Sequence, residues 1–293
     1  MRKFFAKLGL MRILQLVHLL LAVLYLLFAL FGKWAKRGDP DEGVFSADGG
    51  SGFGIVAVLL AVALLVLAVM RLMGRTRVLP GLGVEQLTVI LGIAAWMNMI
   101  AFFVGWLATF EAGTGWGVVA AYFPASIIPQ VGLLTLSAAE PDGAVQPADA
   151  GRTRVISILA AAAGAGVALF PFLTWITDGS VSLSAMDERS GNPLSGPRFG
   201  YILLICGAIV FVAAIMRLRP RGLAEPGPNA LLGHALIAAG AVAVVIPIST
   251  WISAVRLPLE LSGGAGLYLG LLAGLAMIVL GYLENRSRGS VGA

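Results

Sequence analysis

Few residues in this chain have the chemistry to act on a ligand. His18 and His234 are the only histidines, and Cys206 is the only cysteine. His18 precedes Trp34 by 16 residues and His234 precedes Trp251 by 17. The two imidazoles therefore stand at similar distances from matching tryptophans. Two imidazoles facing each other between helices are the ligand set of a bis-histidine haem. With no carboxylate beside them they make a poor zinc site, which takes three or four ligands. The simpler reading is adopted: two separate histidines bonded locally, His18 near Gln15, with no cofactor and no metal expected. Cys206 lies in an apolar run and reads as a small buried hydrophobe. A single cysteine excludes an internal disulfide and a cysteine-based metal centre.

Asn98 and Gln130 are the amides set deepest in apolar surroundings. Amides in lipid hydrogen-bond across helices, so both are expected to act as structural glue. A polar cavity lined by Asn98 and Gln130 is the second reading, because Pro124 and Pro129 free backbone carbonyls close by. Pro171 and Pro247 free others, with Thr174 and Thr250 within a turn to bond them. Glu111, Asp178 and Glu260 each follow a tryptophan by a few residues and read as loop acids. No catalytic residue is assigned. The chain carries no P-loop, no dinucleotide-binding glycine fingerprint, no HExxH and no G-x-S-x-G.

The elements that must hold these residues follow from composition. Of 293 residues, 59% are hydrophobic and 12% charged, about half the soluble share of roughly 25%. Mean hydropathy is +0.93. That charge cannot cover the surface of a soluble domain, which excludes an ordinary soluble enzyme, a disordered chain and a nucleic-acid-binding domain. The net charge of +5 is then read as basic residues near anionic headgroups.

Crossing a bilayer takes about 20 apolar helical residues. Eight segments qualify: 13–32, 53–73, 87–108, 118–136, 155–176, 201–216, 231–255 and 266–283. The first has a basic start like a signal peptide, but it is long and is followed by Gly32-Lys33-Trp34, so an uncleaved span is expected. Fourteen basic residues fall at the two ends of the chain and in the even connections, among them Arg71, Arg75, Arg77, Arg217, Arg219 and Arg221. Six fall in the odd connections: Lys33, Lys36, Arg37, Arg189, Arg198 and Arg256. The positive-inside rule places both termini in the cytoplasm.

The spans pair into four similar hairpins. Residues 171–177, PFLTWIT, match 247–253, PISTWIS. Tryptophans at 34, 106, 175 and 251 are separated by 72, 69 and 76 residues. Each closes an outward helix, where an indole anchors at the membrane interface with its polar edge wet. A glycine beside an aromatic opens each return helix: Gly52-Phe53, Gly115-Trp116, Gly200-Tyr201, and Gly266 before Tyr268. The small-residue run 161–169, with Gly164 and Gly166, signals close helix packing. The fold expected is therefore all-α: eight transmembrane helices as four tandem helical hairpins. A first half covers 1–137, a Pro- and Asp-containing cytoplasmic linker 138–151, a second half 152–283, and a polar tail 284–293. The tandem hairpin with an outer tryptophan resembles membrane proteins of high-GC Gram-positive bacteria. No functional residue is carried over from that resemblance.

The function expected is non-catalytic: an accessory or scaffold subunit of a cell-envelope complex in a bacterial plasma membrane. Membrane lipids and another membrane or envelope protein are the expected partners, with no nucleic acid. The alternative is a transporter or lipid translocator with a path between the halves past Asn98 and Gln130. The missing mid-span charges argue against a carboxylate-switched pump. A haem or quinone redox subunit ranks third and an intramembrane hydrolase last.

Overall fold

A backbone in lipid finds no water to bond, so long apolar runs close their hydrogen bonds within helices. The computed structural model describes residues 2–36, 42–43, 51–79, 82–103, 113–139, 150–178, 181–186, 198–218, 232–256 and 261–289. Eight long helices run through them: α1 (Arg2–Phe31), α2 (Ser51–Leu72), α3 (Val84–Ala101), α4 (Trp116–Ala139), α5 (Ala150–Leu169), α6 (Arg198–Leu218), α7 (Leu232–Arg256) and α8 (Ala265–Gly289). Each is long and apolar enough to cross a bilayer. Their outer faces are apolar too. Leu59, Val62, Val66 and Val69 on α2 stand exposed at helical spacing, as do Ile13, Leu16, Leu20 and Leu27 on α1. Such surface is stable against hydrocarbon and not against water. The chain is a predominantly helical, multi-pass membrane protein.

Helix α1 packs on α2 and α4, and α3 packs on the same two, which closes a four-helix ring. In the same way α5 and α7 each pack on α6 and α8. The rings meet where α7 lies against α2 and α3. Small residues set the close approaches. A Cβ on Gly32 would collide with the backbone of Gly117, joining α1 to α4. One on Gly164 would come within 2.9 Å of the Gly207 carbonyl, joining α5 to α6. The expected packing role of the small-residue run is seen at that contact.

Short strands at one end of the bundle are an addition to the helical reading. β1 (Lys33–Lys36) pairs with β2 (Glu42–Gly43) and β5 (Gly113–Thr114), in the order β2-β1-β5. β6 (Thr174–Asp178) pairs with β7 (Val181–Ser184) and β8 (Leu261–Gly263), in the order β7-β6-β8. The two sheets thus share one plan: the strand after the first helix of a ring sits centrally and pairs with the strand before the fourth. A separate pair, β3 (Arg77–Leu79) and β4 (Leu82–Gly83), connects α2 to α3.

The end of the fifth span differs from expectation. The fifth span, read as 155–176, stops as an α-helix at Leu169 and passes through a 3-10 turn, Phe170–Phe172, into β6. Pro171 lacks the N–H that another α turn would need, so it ends the helix instead of kinking it. Thr174 consequently lies in a strand. Pro247 stays inside α7. There Thr250 donates to Ile246 O at 2.8 Å, one i−4 carbonyl of its own, and not to the Ala243 carbonyl that the proline leaves free.

Candidate functional site

Among the described residues the polar interior gathers at two places, and sequence reasoning located only part of one. The first joins the rings. Asn98 of α3 is fully buried. Its Nδ2 donates to the Phe53 carbonyl of α2 at 2.9 Å, and its Oδ1 accepts from Ser249 Oγ of α7 at 2.8 Å. One turn on, Ser253 Oγ accepts from the Gly52 N–H at 3.1 Å and donates to Ser249 O at 2.9 Å. Helix α2 can come this close because a Cβ on Gly52 would strike the Ser249 carbonyl. Three helices are tied by one asparagine and two serines. The amide lies near the sheet end of α3, three residues before that helix ends at Ala101, and not halfway along it.

Gln130 does not share that place. It is exposed on α4, and its Nε2 donates to Ser126 O of its own helix at 3.2 Å. Asn98 and Gln130 therefore line no common cavity. The packed surfaces do not unite the histidines either. His18 is fully buried on α1, while half-buried His234 belongs to α7, and α1 and α7 share no extended interface. Cys206 is half-buried on α6. Among the described residues, no group of three or more His, Cys, Asp and Glu side chains converges. Glu111 and Glu260 lie outside the described residues, as does Trp106.

The tryptophans divide into unlike sets. Trp34 in β1 and Trp175 in β6 are fully buried. Each indole Nε1 donates to the carbonyl five residues back, to Ala29 O at 3.1 Å and to Phe170 O at 3.0 Å. Each backbone carbonyl accepts from a glycine of the neighbouring strand region, Gly115 at 3.1 Å and Gly264 at 2.7 Å. The ring of Trp34 meets Phe102 edge-on at a centroid distance of 5.1 Å. Protein, not lipid headgroup, surrounds both indoles. Trp251 lies within α7, half-buried, with Tyr268 6.4 Å away. Among the described tryptophans Trp116 is the exposed one, at 51%. It caps an apolar groove of about 710 Å³ between α1 and α4, walled by Leu21, Leu24, Phe28, Phe123 and Pro124.

The second polar place is at the opposite end of the bundle and was read only as loop charge. Arg71, near the end of α2, is 3% exposed and lies 3.6 Å from Glu85 through Nε. Arg217, near the end of α6, donates from Nη2 to Glu284 Oε1 of α8 at 2.7 Å. These arginines occupy one repeated stretch, AVMRL at 68–72 and AIMRL at 214–218. That match was legible in the sequence; the burial of its arginine was not. Asn285 is buried in the same region, its Oδ1 facing Gly233 of α7.

Comparison with protein-family models, with curated proteins and with solved structures finds no match.

Proposed function

We propose that the protein is a non-catalytic membrane subunit, an accessory or scaffold component of a cell-envelope complex, seated in a bacterial plasma membrane with both termini cytoplasmic. The observation that carries this reading is the use made of Asn98. Both polar atoms of the amide are engaged in holding α2, α3 and α7 together. A transport path needs polar groups that a solute can borrow. The translocator reading is weaker for that reason, and because Gln130 points away from the junction between the rings.

Four tandem hairpins remain the proposed ancestry, with halves at 1–137 and 152–283 joined by the linker 138–151. Support comes from the matching surroundings of Trp34 and Trp175, which relate the first and third hairpins. The partner surface proposed is the two segments 39–50 and 186–197, read from the sequence as outer connections. Deleting 39–50 or 186–197 should leave membrane insertion intact and abolish recovery of the partner after crosslinking and mild detergent extraction. If the deletion proteins still bring down the same partner, the scaffold surface is elsewhere. If wild type is recovered alone and moves lipid or solute in proteoliposomes, the translocator reading takes its place.

A further inference from the structure

The two related arginines are not treated alike. Arg217 has a carboxylate at hydrogen-bond distance, 2.7 Å away. Arg71 has Glu85 at 3.6 Å, an ion pair too long to be a hydrogen bond. Among the described residues none of its three guanidinium nitrogens has a hydrogen-bond partner. Its side chain is nonetheless only 2% exposed. Burying a guanidinium in this state is costly unless an acceptor meets it.

The surroundings are built and not frayed. Helix α2 ends in a two-bond turn: Arg75 N–H donates to Met70 O and Gly74 N–H to Arg71 O, both at 3.0 Å. Gly74 takes φ of 76° there, the left-handed conformation that favours glycine. Arg71 is one of the carbonyls so capped, and its position on the bundle is fixed. On α1, which packs on α2, His18 is fully buried. Neither imidazole nitrogen has a partner among the described residues. Two turns further along α1, the buried Tyr25 hydroxyl is also without a partner among the described residues. The second ring has Leu and Gly where His18 and Tyr25 would fall, at Leu159 and Gly166, counting back from Trp175 as from Trp34.

With Glu85 at Nε, the Nη1–Nη2 edge of Arg71 is buried and without an acceptor among the described residues. That edge matches a phosphate bidentately. The arginine stands one residue from the end of a 22-residue helix, the level at which a spanning helix meets headgroups. We propose that Arg71 forms a binding site for a phosphate oxyanion, carried by an anionic lipid headgroup or met as free phosphate. This inference is independent of the scaffold reading.

The test is native mass spectrometry and thermal unfolding of the delipidated full-length protein. Three probes are added separately: phosphatidylglycerol, diacylglycerol with the same chains, and inorganic phosphate. Phosphatidylglycerol should bind and raise the melting temperature, and diacylglycerol should not. An equal effect of inorganic phosphate identifies the free ion as the source; no effect identifies the lipid. Arg71→Lys keeps a charge but loses the fork, and should weaken binding at least tenfold. Arg217→Lys should leave it within twofold. Glu85→Gln removes the competing carboxylate and should tighten binding, whereas a merely structural Arg71–Glu85 pair predicts no gain. Failure of both phosphatidylglycerol and inorganic phosphate to bind, equal binding by Arg71→Lys and wild type, or no gain by Glu85→Gln overturns the proposal. Because both substitutions preserve size, the result stands even where Arg71→Ala fails to fold.

Discussion

Ser249 of α7 donates its hydroxyl to the side-chain oxygen of Asn98 on α3 at 2.8 Å, across 151 residues of chain. The same asparagine reaches α2 through the Phe53 carbonyl. Helix α7, which packs on α6 and α8 within its own ring, is thereby fastened to the other ring as well. In hydrocarbon the hydrophobic effect gives helices little reason to associate, so such bonds and close packing do much of the holding.

Replacing Asn98 by Ala should therefore destabilise the fold by about 1–2 kcal/mol, with Ser249→Ala costing about half as much. Unfolding in mixed micelles measures both. The double variant should lose less than the sum, since both changes remove one shared bond. Strict additivity would show that the two residues act separately.

Glycine contacts give a sharper contrast. Gly117→Ala places a methyl on the Gly32 backbone and should cost about 1–3 kcal/mol through forced separation of α1 and α4. Gly9 faces open space, so Gly9→Ala should be neutral. Melting curves of the two variants side by side check this. A stable Gly117→Ala protein would mean that α1 and α4 do not meet there.

The indoles of Trp34 and Trp175 should respond as a pair. Trp→Phe at either position removes one N–H···O bond and should cost about 1 kcal/mol. Single-tryptophan proteins provide a second readout. Brominated lipid should quench Trp116, which is 51% exposed, and spare Trp34 and Trp175, which are buried. Strong quenching of Trp34 would place its ring at the lipid surface.

Orientation is checked by labelling. In a Cys206→Ala background, single cysteines at Ser46 and Ser190 should react with an impermeant thiol reagent in intact cells, and cysteines at Ser137 and Gly151 should not. The reverse pattern would turn the protein over in the membrane.

Composition and hydropathy were enough to specify eight spans, because a spanning helix must satisfy its own backbone and meet lipid with apolar side chains, both local properties. Asn98 was visible as a polar residue needing a partner, and AVMRL and AIMRL were visible as a repeat. Partner identity was not visible. Which serine meets Asn98, and that Gln130 turns outward while Asn98 turns inward, depend on helix rotation and on contacts between residues far apart in the chain. The tryptophans make the same point. Their spacing marked the ends of helices, and an indole at a helix end in a membrane is ordinarily an interface anchor. Only the strands at the sheet end, closed by Gly115 and Gly264 on the carbonyls of Trp34 and Trp175, put those rings inside the protein. Arg71 and Arg217 were alike in sequence and counted only as charge. Tertiary packing separated them, since a carboxylate reached one at 2.7 Å and stood 3.6 Å from the other.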